Sequence, residues 1–155
     1  MPVIPFLPPS APHASNLDKL CVPAVPARWT FPATAESVRR ARWAVAAALP
    51  AACAPQLADD LVLLTSELVT NAVRYGALHG EEDDHLVELF LWPADGYYWL
   101  AVSDPGDGRP VVRESGPDTG CGGRGLVLVD AVSAAWAVVP RLPCGKSVVA
   151  GMPLD

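Results

Sequence analysis

An α+β fold is expected for this chain: a two-layer α/β sandwich with helices on one face of a mainly antiparallel mixed sheet. The 155 residues suit one domain with a two-layer core. Apolar residues recur at helical spacing in the first half, one later pair of segments shows the period of two typical of hairpin strands, and a second pair flanks a turn sequence. The resulting order is helix, helix, hairpin, loop, helix, hairpin, which favours helices gathered on one side of the sheet.

Composition narrows the classes of function. Hydrophobic residues make up 51% of the chain and charged residues 18%, which is typical of a globular protein. No apolar run reaches the roughly 20 residues that span a bilayer, and the proline-broken N-terminus has no basic signal-peptide region. We therefore expect a cytoplasmic protein without a membrane segment. A net charge of −6 without a basic stripe disfavours nucleic acid, which leaves a protein partner or a small ligand.

The cysteines indicate no special site. They have neither C-x-x-C spacing nor a nearby histidine pattern, which disfavours both a zinc site and a disulfide scaffold. Buried or incidental thiols are the simpler interpretation of Cys21, Cys53, Cys121 and Cys144.

Residues 1–26 are predicted to be a flexible proline-rich arm, because the seven prolines there disrupt helix and strand hydrogen bonds. The ordered domain then covers residues 27–155 and begins with a short edge strand at 29–31. Thr34 follows in an N-cap position, ahead of a first helix that runs to about Leu49. Its outward face is interpreted as a solvated surface, with a protein-binding surface as the alternative. That face carries Arg39, Arg40 and Trp43.

A second helix is predicted over residues 57–75, with Gly76 suited to a left-handed C-cap. Glu67 and Asn71 lie one turn apart on it and project side by side. Because most of the helix is apolar, we expect it to be buried, and the polar pair then needs partners. A metal ion with phosphate oxygens would supply them, and an ion pair between Glu67 and Arg74 is the structural alternative. The predicted core stripe is Leu57, Leu61, Leu64, Leu68, Ala72 and Tyr75.

Two hairpins and a short helix complete the predicted domain. The first hairpin follows an acidic loop at 81–84 and turns at a Pro-Ala-Asp-Gly sequence. A glycine- and proline-rich segment separates it from the short helix and the second hairpin. The predicted bounds are 86–92 and 97–103 for the first hairpin, 124–132 for the helix, and 135–139 and 146–152 for the second hairpin.

Two glycine-containing segments carry candidate chemistry. In Asp104-Pro105-Gly106-Asp107-Gly108, directly after a strand, a carboxylate can face a pocket and the glycines admit a flat ligand. Taken alone, this segment also fits an ordinary turn. The segment 120–126 opens the short helix, whose free N–H groups and dipole favour an anion such as phosphate.

Two other nucleotide-binding motifs are rejected. Gly120, Gly122 and Gly125 have the spacing of the dinucleotide fingerprint, but a long glycine loop replaces the strand that should precede it. Gly145-Lys146-Ser147 is similar to the end of a P-loop. However, Pro140 stands where the first glycine is required, and a strand-like segment follows instead of a helix.

Three motifs together resemble the GHKL superfamily of ATP-binding domains, which includes gyrase B, the Hsp90 chaperones, histidine kinases and MutL. The motifs are Glu67 with Asn71, Asp104-x-Gly106-x-Gly108, and Gly123-Arg124-Gly125-Leu126. The resemblance covers residues 28–153 and is strongest to the small anti-sigma-factor serine kinases of Gram-positive bacteria. It implies the Bergerat, or histidine kinase-like ATPase, type of two-layer sandwich.

The resemblance also implies cofactors and residue roles. ATP and Mg²⁺ would be bound, with Asn71 coordinating the metal ion and Glu67 acting as general base. Asp104 would hydrogen-bond the adenine amino group, and Gly106 and Gly108 would allow close approach there. Further nucleotide contacts are implied for Gly123 and Gly125, at the phosphate end of a lid segment that continues to Leu126, and for the Ser147 hydroxyl near adenine. A phosphate contact of Arg124 is expected from its charge and location and not from the resemblance.

By this resemblance, the chain is expected to be an ATP- and Mg²⁺-dependent serine/threonine protein kinase. It would regulate transcription by partner switching, sequestering a sigma factor and phosphorylating an antagonist protein. The alternative is a catalytically silent ATP-binding module that only binds a protein partner. The sequence leaves open which partners these are and whether the chain forms a homodimer.

Overall fold

The structure is a computed structural model that describes residues 26–76, 85–106 and 124–154, with the backbone alone at 124–126. Eight elements lie within these residues. In chain order they are β1 (Ala27–Pro32), α1 (Ala35–Ala48), α2 (Pro55–Tyr75), β2 (Leu86–Ala94), β3 (Tyr97–Asp104), α3 (Arg124–Val132), β4 (Ala135–Pro140) and β5 (Lys146–Pro153).

The five strands form one sheet in the order β1-β2-β3-β5-β4. The hairpins β2–β3 and β4–β5 lie side by side because β3 pairs with β5, and β1 forms an edge. The predicted α+β sandwich is confirmed. The mixed character expected of the sheet does not occur among the described strands, since all four pairings are antiparallel. The two hairpins meet through inner strands that run in opposite directions.

The three helices pack on one face of this sheet. Alternate side chains of β3 point to that face, and Leu100 and Val102 are buried there against Leu64 and Leu68 of α2. Asp104 is the next residue in the same row, so its carboxylate lies on the helical side of the sheet. The opposite face carries a second apolar cluster, which contains Trp92, Ala94, Ala101 and Val149.

Gly76 is the C-cap of α2, but the left-handed conformation predicted for it is wrong, because φ is −88° and ψ is 0°. A lack of room for a side chain, and not the backbone conformation, explains why this residue is a glycine. A Cβ atom at this position would overlap the carbonyl oxygen of Ala72 and would lie 2.8 Å from the Cβ of Asp104. Positive φ angles occur instead in the β2–β3 turn, at Asp95 (53°) and Gly96 (80°), as a two-residue hairpin of this type requires.

Other differences from the predicted elements are small. Thr34 is the N-cap of α1, as expected. Helix α2 begins at Pro55, two residues early, because proline suits the first helical position. In its predicted stripe, Tyr75 is 55% exposed, since Ala72 and Gly76 take the core-facing positions at the end of the helix. The stripe residues that are buried are Leu61, Leu64, Leu68 and Ala72.

Several predicted segments lie outside the described residues: the N-terminal arm apart from its last residue, the acidic loop, and residues 107–123 of the glycine-rich segment. Cys21 and Cys121 also lie outside. Cys53 is half-buried and Cys144 is exposed, and both are free thiols. Burial raises the pKa of the Cys53 thiol. Within the described residues, no helix is long and apolar enough to cross a membrane.

Candidate functional site

The carboxylate of Asp104, at the end of β3, is almost completely buried, with 4% exposure of the residue. Its Oδ1 accepts a hydrogen bond from the backbone N–H of Gly106, at 2.9 Å, and another from Nζ of Lys146, at 2.8 Å. Nζ also donates to the carbonyl oxygen of Gly106, at 3.3 Å. These three residues form a polar cluster in which Lys146 balances the buried charge of Asp104.

The register between β3 and β5 explains this ion pair. Asp104 and Lys146 are direct partners in the antiparallel pairing, so their side chains share the helical face of the sheet. No sequence motif identifies Lys146 as a site residue. The one signal is a lysine that opens a strand whose following residues are mostly apolar. Its significance depends on pairing with a strand 42 residues earlier, which the local sequence does not reveal.

Ser147 lies on the other face of the sheet. It is the direct partner of Ser103, and the two buried hydroxyl oxygens are 2.5 Å apart. Successive residues of a strand point to opposite faces, so the Ser147 side chain points away from Asp104. The hydroxyl that the family resemblance places near adenine is therefore not beside the carboxylate, and Lys146 occupies that place. A contact between Ser147 and a nucleotide stays a prediction.

Glu67 and Asn71 lie at the side of α2. Both are half-buried and not buried as expected, because the core takes Leu64, Leu68 and Ala72 and leaves the polar pair at the margin of the packed face. The ion pairs within the described residues do not include Glu67, so the structural alternative of a pair with Arg74 is not seen there.

Helix α2 connects this polar pair to Asp104. Asn71 and Glu67 precede Gly76 by roughly 7–8 Å and 13–14 Å along the axis, at the helical rise of about 1.5 Å per residue. Gly76 packs directly on Asp104, and its Cα has no room for a methyl group beside that side chain. Along α2, the carboxamide of Asn71 therefore lies nearer to the buried ion pair, and the carboxylate of Glu67 lies farther from it.

Gly106 allows the segment after β3 to pack closely against Gly76 at the end of α2. A Cβ atom on it would lie 2.8 Å from the carbonyl oxygen of Gly76. The absence of side chains on both glycines lets the end of α2 approach the segment after β3 closely. Close approach of a ligand, as predicted for Gly106 and Gly108, stays a prediction, and Gly108 lies outside the described residues.

Helix α3 begins at Arg124, as predicted. Gly123 lies outside the described residues, and for Arg124, Gly125 and Leu126 only the backbone is described. The phosphate contacts expected of this segment therefore stay predictions.

A magnesium ion fits the oxygen donors of α2 if phosphates complete its coordination. Mg²⁺ prefers hard oxygen ligands and is often held by only one or two protein groups besides phosphates and waters. Asn71 offers an amide oxygen, and Glu67 stands one turn away. The described part of the chain holds no group of three or more His, Cys, Asp or Glu residues that could bind a metal ion without such help.

Comparison with known proteins identifies a family. A family model described as a histidine kinase-like ATPase domain matches residues 31–148, well over half of the chain. The match includes Glu67, Asn71, Asp104 and Lys146. A search of curated proteins finds no match.

One solved structure supports the fold. The RsbU and RsbW domains of Rv1364c from Mycobacterium tuberculosis match with a TM-score of 0.58 and 20% identity, over 83% of this chain and 32% of that chain. At this identity the likeness concerns the fold alone. The histidine kinase domain of a blue-light activated histidine kinase from Erythrobacter litoralis EL346 matches with a TM-score of 0.47 and 27% identity, over 64% of this chain and 45% of that chain. The chain spans less than half the length of either structure.

The fold and the family match support the same assignment. An ATPase domain binds ATP. The sequence predicted a mainly antiparallel sheet covered by helices, with the carboxylate of Asp104 at the end of a strand, and the structure has this arrangement. This chain belongs to the family of histidine kinase-like ATPase domains.

Proposed function

We propose that this protein is an ATP- and Mg²⁺-dependent serine/threonine protein kinase of the anti-sigma-factor type. It acts in the cytoplasm, binds a sigma factor, and phosphorylates an antagonist protein, so that the sigma factor changes partner. The family match supports ATP binding and a kinase-like activity. The motif resemblance supports the serine/threonine specificity and the partners, and one structure of similar fold contains a domain named RsbW.

One geometric relationship carries this proposal: Gly76 at the end of α2 packs on Asp104, while Asn71 and Glu67 lie further back along the same helix. A nucleotide with its base at Asp104 then has its phosphates beside Asn71 and Glu67. Helix α2 thus packs by its C-terminal end against the base-binding residue Asp104 of β3, and carries the residues for the reacting end of the ligand further back.

Each residue has a role that follows from its chemistry. Asp104 accepts a hydrogen bond from the adenine amino group. Asn71 holds Mg²⁺, which neutralises phosphate charge when bound. Glu67 takes the proton of the acceptor hydroxyl, because phosphoryl transfer mainly needs positioning, charge neutralisation and a nearby base.

Calorimetric titration with ATP, with and without Mg²⁺, tests the nucleotide site. We expect micromolar binding by the natural protein and loss of binding in Asp104→Asn, which removes the carboxylate acceptor. Asn71→Ala should bind ATP with little dependence on Mg²⁺. Asp95→Asn is the matched control, since Asp95 is exposed in the β2–β3 turn. Absence of ATP binding by the natural protein would refute the proposal.

Transfer of labelled γ-phosphate to an antagonist protein tests the kinase step. Glu67→Gln should retain ATP affinity and lose transfer by about 100-fold or more, the usual contribution of a general base. Glu88→Gln is the control, because Glu88 forms ion pairs with Arg28 and Arg141 away from α2. If the natural protein binds ATP and partner but transfers no phosphate, the chain is the catalytically silent module instead.

A further inference from the structure

We infer that Lys146 reads the nucleotide base, by donating a hydrogen bond to the ring nitrogen N1 beside the adenine amino group. This inference rests on the proposed ATP site and adds to it a residue that determines base specificity. It concerns the hydrogen-bonding groups of Lys146 and Asp104 that the described hydrogen bonds leave unused.

The hydrogen bonds of the pair leave one donor and one acceptor. An ammonium has three N–H donors, and Lys146 uses two of them, on Oδ1 of Asp104 and on the carbonyl oxygen of Gly106. Among residues 26–76, 85–106 and 124–154, no acceptor takes the third. Both donors to Asp104 meet Oδ1, so within the same residues Oδ2 is without a donor.

This remaining donor and acceptor are complementary to one edge of adenine. The amino group at C6 is a donor, and the adjacent ring nitrogen N1 is an acceptor. Oδ2 of Asp104 can take the amino hydrogen while Nζ of Lys146 donates to N1. The ligand class is therefore a nucleotide whose base carries an amino group beside an unprotonated ring nitrogen.

Burial makes such a contact selective. The side chains of Lys146 and Asp104 are only 9% and 3% exposed, so water competes weakly for their hydrogen bonds. Two existing hydrogen bonds and the β3–β5 register hold Nζ in place before any ligand arrives, and a donor held in this way loses little freedom on binding. Ser147, the other candidate for this edge of the base, is paired with Ser103 on the opposite face.

The test compares ATP with 1-deaza-ATP, in which a C–H group replaces N1 and the amino group is kept. The natural protein should bind ATP at least about tenfold more tightly than 1-deaza-ATP, as expected for a hydrogen bond from a charged donor. In Lys146→Met this ratio should fall to about threefold or less, since Met has no donor. Arg141→Met is the control and should keep the natural ratio, because Arg141 pairs with Glu88 instead.

Equal affinity of the natural protein for the two nucleotides, or an unchanged ratio in Lys146→Met, would overturn the inference. Collapse of the ratio in Ser147→Ala would assign the reading of N1 to that hydroxyl and would also overturn it. If Lys146→Met fails to fold, Lys146→Gln takes its place, since its amide ends short of the Nζ position. Absence of ATP binding by the natural protein would instead refute the proposed function, so the two failures are distinguishable.

Discussion

Lys146 donates a hydrogen bond to Asp104 across the pairing of β3 with β5, with 2.8 Å between Nζ and Oδ1. Both side chains are almost fully buried. Removing one partner of such a pair leaves the other charge in the core without compensation, which destabilises a protein more than loss of the whole pair does. The stability of the domain is therefore coupled to residues of its candidate site.

Lys146→Met should lower the free energy of unfolding by about 3–5 kcal/mol, because it leaves the carboxylate of Asp104 buried and unpaired. The double variant Asp104→Asn/Lys146→Met should recover part of this loss, since both charges are then absent. Urea denaturation of the two variants measures the difference. Arg141→Met breaks a half-exposed ion pair with Glu88 and should change stability by less than about 1 kcal/mol. If Lys146→Met and Arg141→Met lowered the free energy of unfolding equally, burial of the Lys146–Asp104 pair would not explain the loss.

Gly76→Ala should destabilise the domain by about 3 kcal/mol, at the upper end for overpacking, because the new methyl group meets backbone at Ala72 and the side chain of Asp104. It should also weaken ATP binding, since Asp104 must shift. Gly96→Ala provides the contrast. Its φ of +80° strains an alanine by about 1 kcal/mol, but nothing lies within 4 Å of the added Cβ. Thermal unfolding and ATP titration of both variants check this, and normal ATP affinity in Gly76→Ala would show that the contact is unimportant for the site.

Tyr98→Phe should leave stability unchanged or raise it by up to about 1 kcal/mol at neutral pH. The Tyr98 hydroxyl is buried and has no hydrogen-bond partner in the described structure, so its removal loses no native bond. A clear loss of stability would indicate a partner for this hydroxyl. Tyr75→Phe, at an exposed tyrosine, is the matched control.

The same tyrosine predicts a pH dependence in alkali. Burial, reinforced by the nearby Cys53, raises the pKa of Tyr98 to about 12 from the ordinary value of 10.0. The folded state therefore favours the neutral phenol, and this contribution is fully present below pH 10. It is lost as the pH rises from 10 to 12, because the unfolded chain ionises first. Urea denaturation between pH 10 and 12 should show that the free energy of unfolding falls more steeply with pH in the natural protein than in Tyr98→Phe. If the two proteins lost stability in parallel, the pH dependence would not come from Tyr98.

The exposed pair on α1 should matter for partner binding and not for stability. Trp43 is 67% exposed, and the Arg39 guanidinium lies 4.9 Å from its ring centroid. Arg39→Ala/Trp43→Ala should change the free energy of unfolding by less than about 1 kcal/mol, as is usual for an exposed cation–π pair. Affinity for the protein partner should fall about tenfold or more, as for an aromatic and arginine contact site. Gln56→Ala on α2 is a control on a different exposed surface, and unchanged partner affinity in the double variant would remove this surface from consideration.

Local signals predicted most of the elements. A period of two indicates the strands of the first hairpin, and turn sequences with proline and glycine separate the strands of both hairpins, so the bounds of these strands followed from short stretches of chain. The second helix was equally clear from its spacing of Leu61, Leu64 and Leu68. The prediction for Gly76 was wrong because a helix-ending glycine usually indicates a left-handed residue, whereas here a neighbouring strand needs the space.

The spacing of apolar residues along the second helix also did not predict that Glu67 and Asn71 are only half-buried. Counting apolar residues around a helix shows that it packs, but not how wide a face its neighbours cover. Helix α2 packs against α1, α3 and β3, with Leu64, Leu68 and Ala72 in the buried positions, which leaves this pair half-buried at the margin. The spacing did place both side chains on one side of the helix, since that relation depends only on the helical repeat.

The sequence by itself determined the α+β class, the order and approximate bounds of the elements, and the family motifs, because each depends on residues close together in the chain. The tertiary structure decided which strands meet. Pairing of β3 with β5 is a contact over 42 residues, and its register turns Lys146 toward Asp104 and Ser147 toward Ser103. A shift of one residue would exchange the two faces. The core stabilises one register because Val102 and Val148 must be buried beneath α2, and that register places Lys146, and not Ser147, beside Asp104.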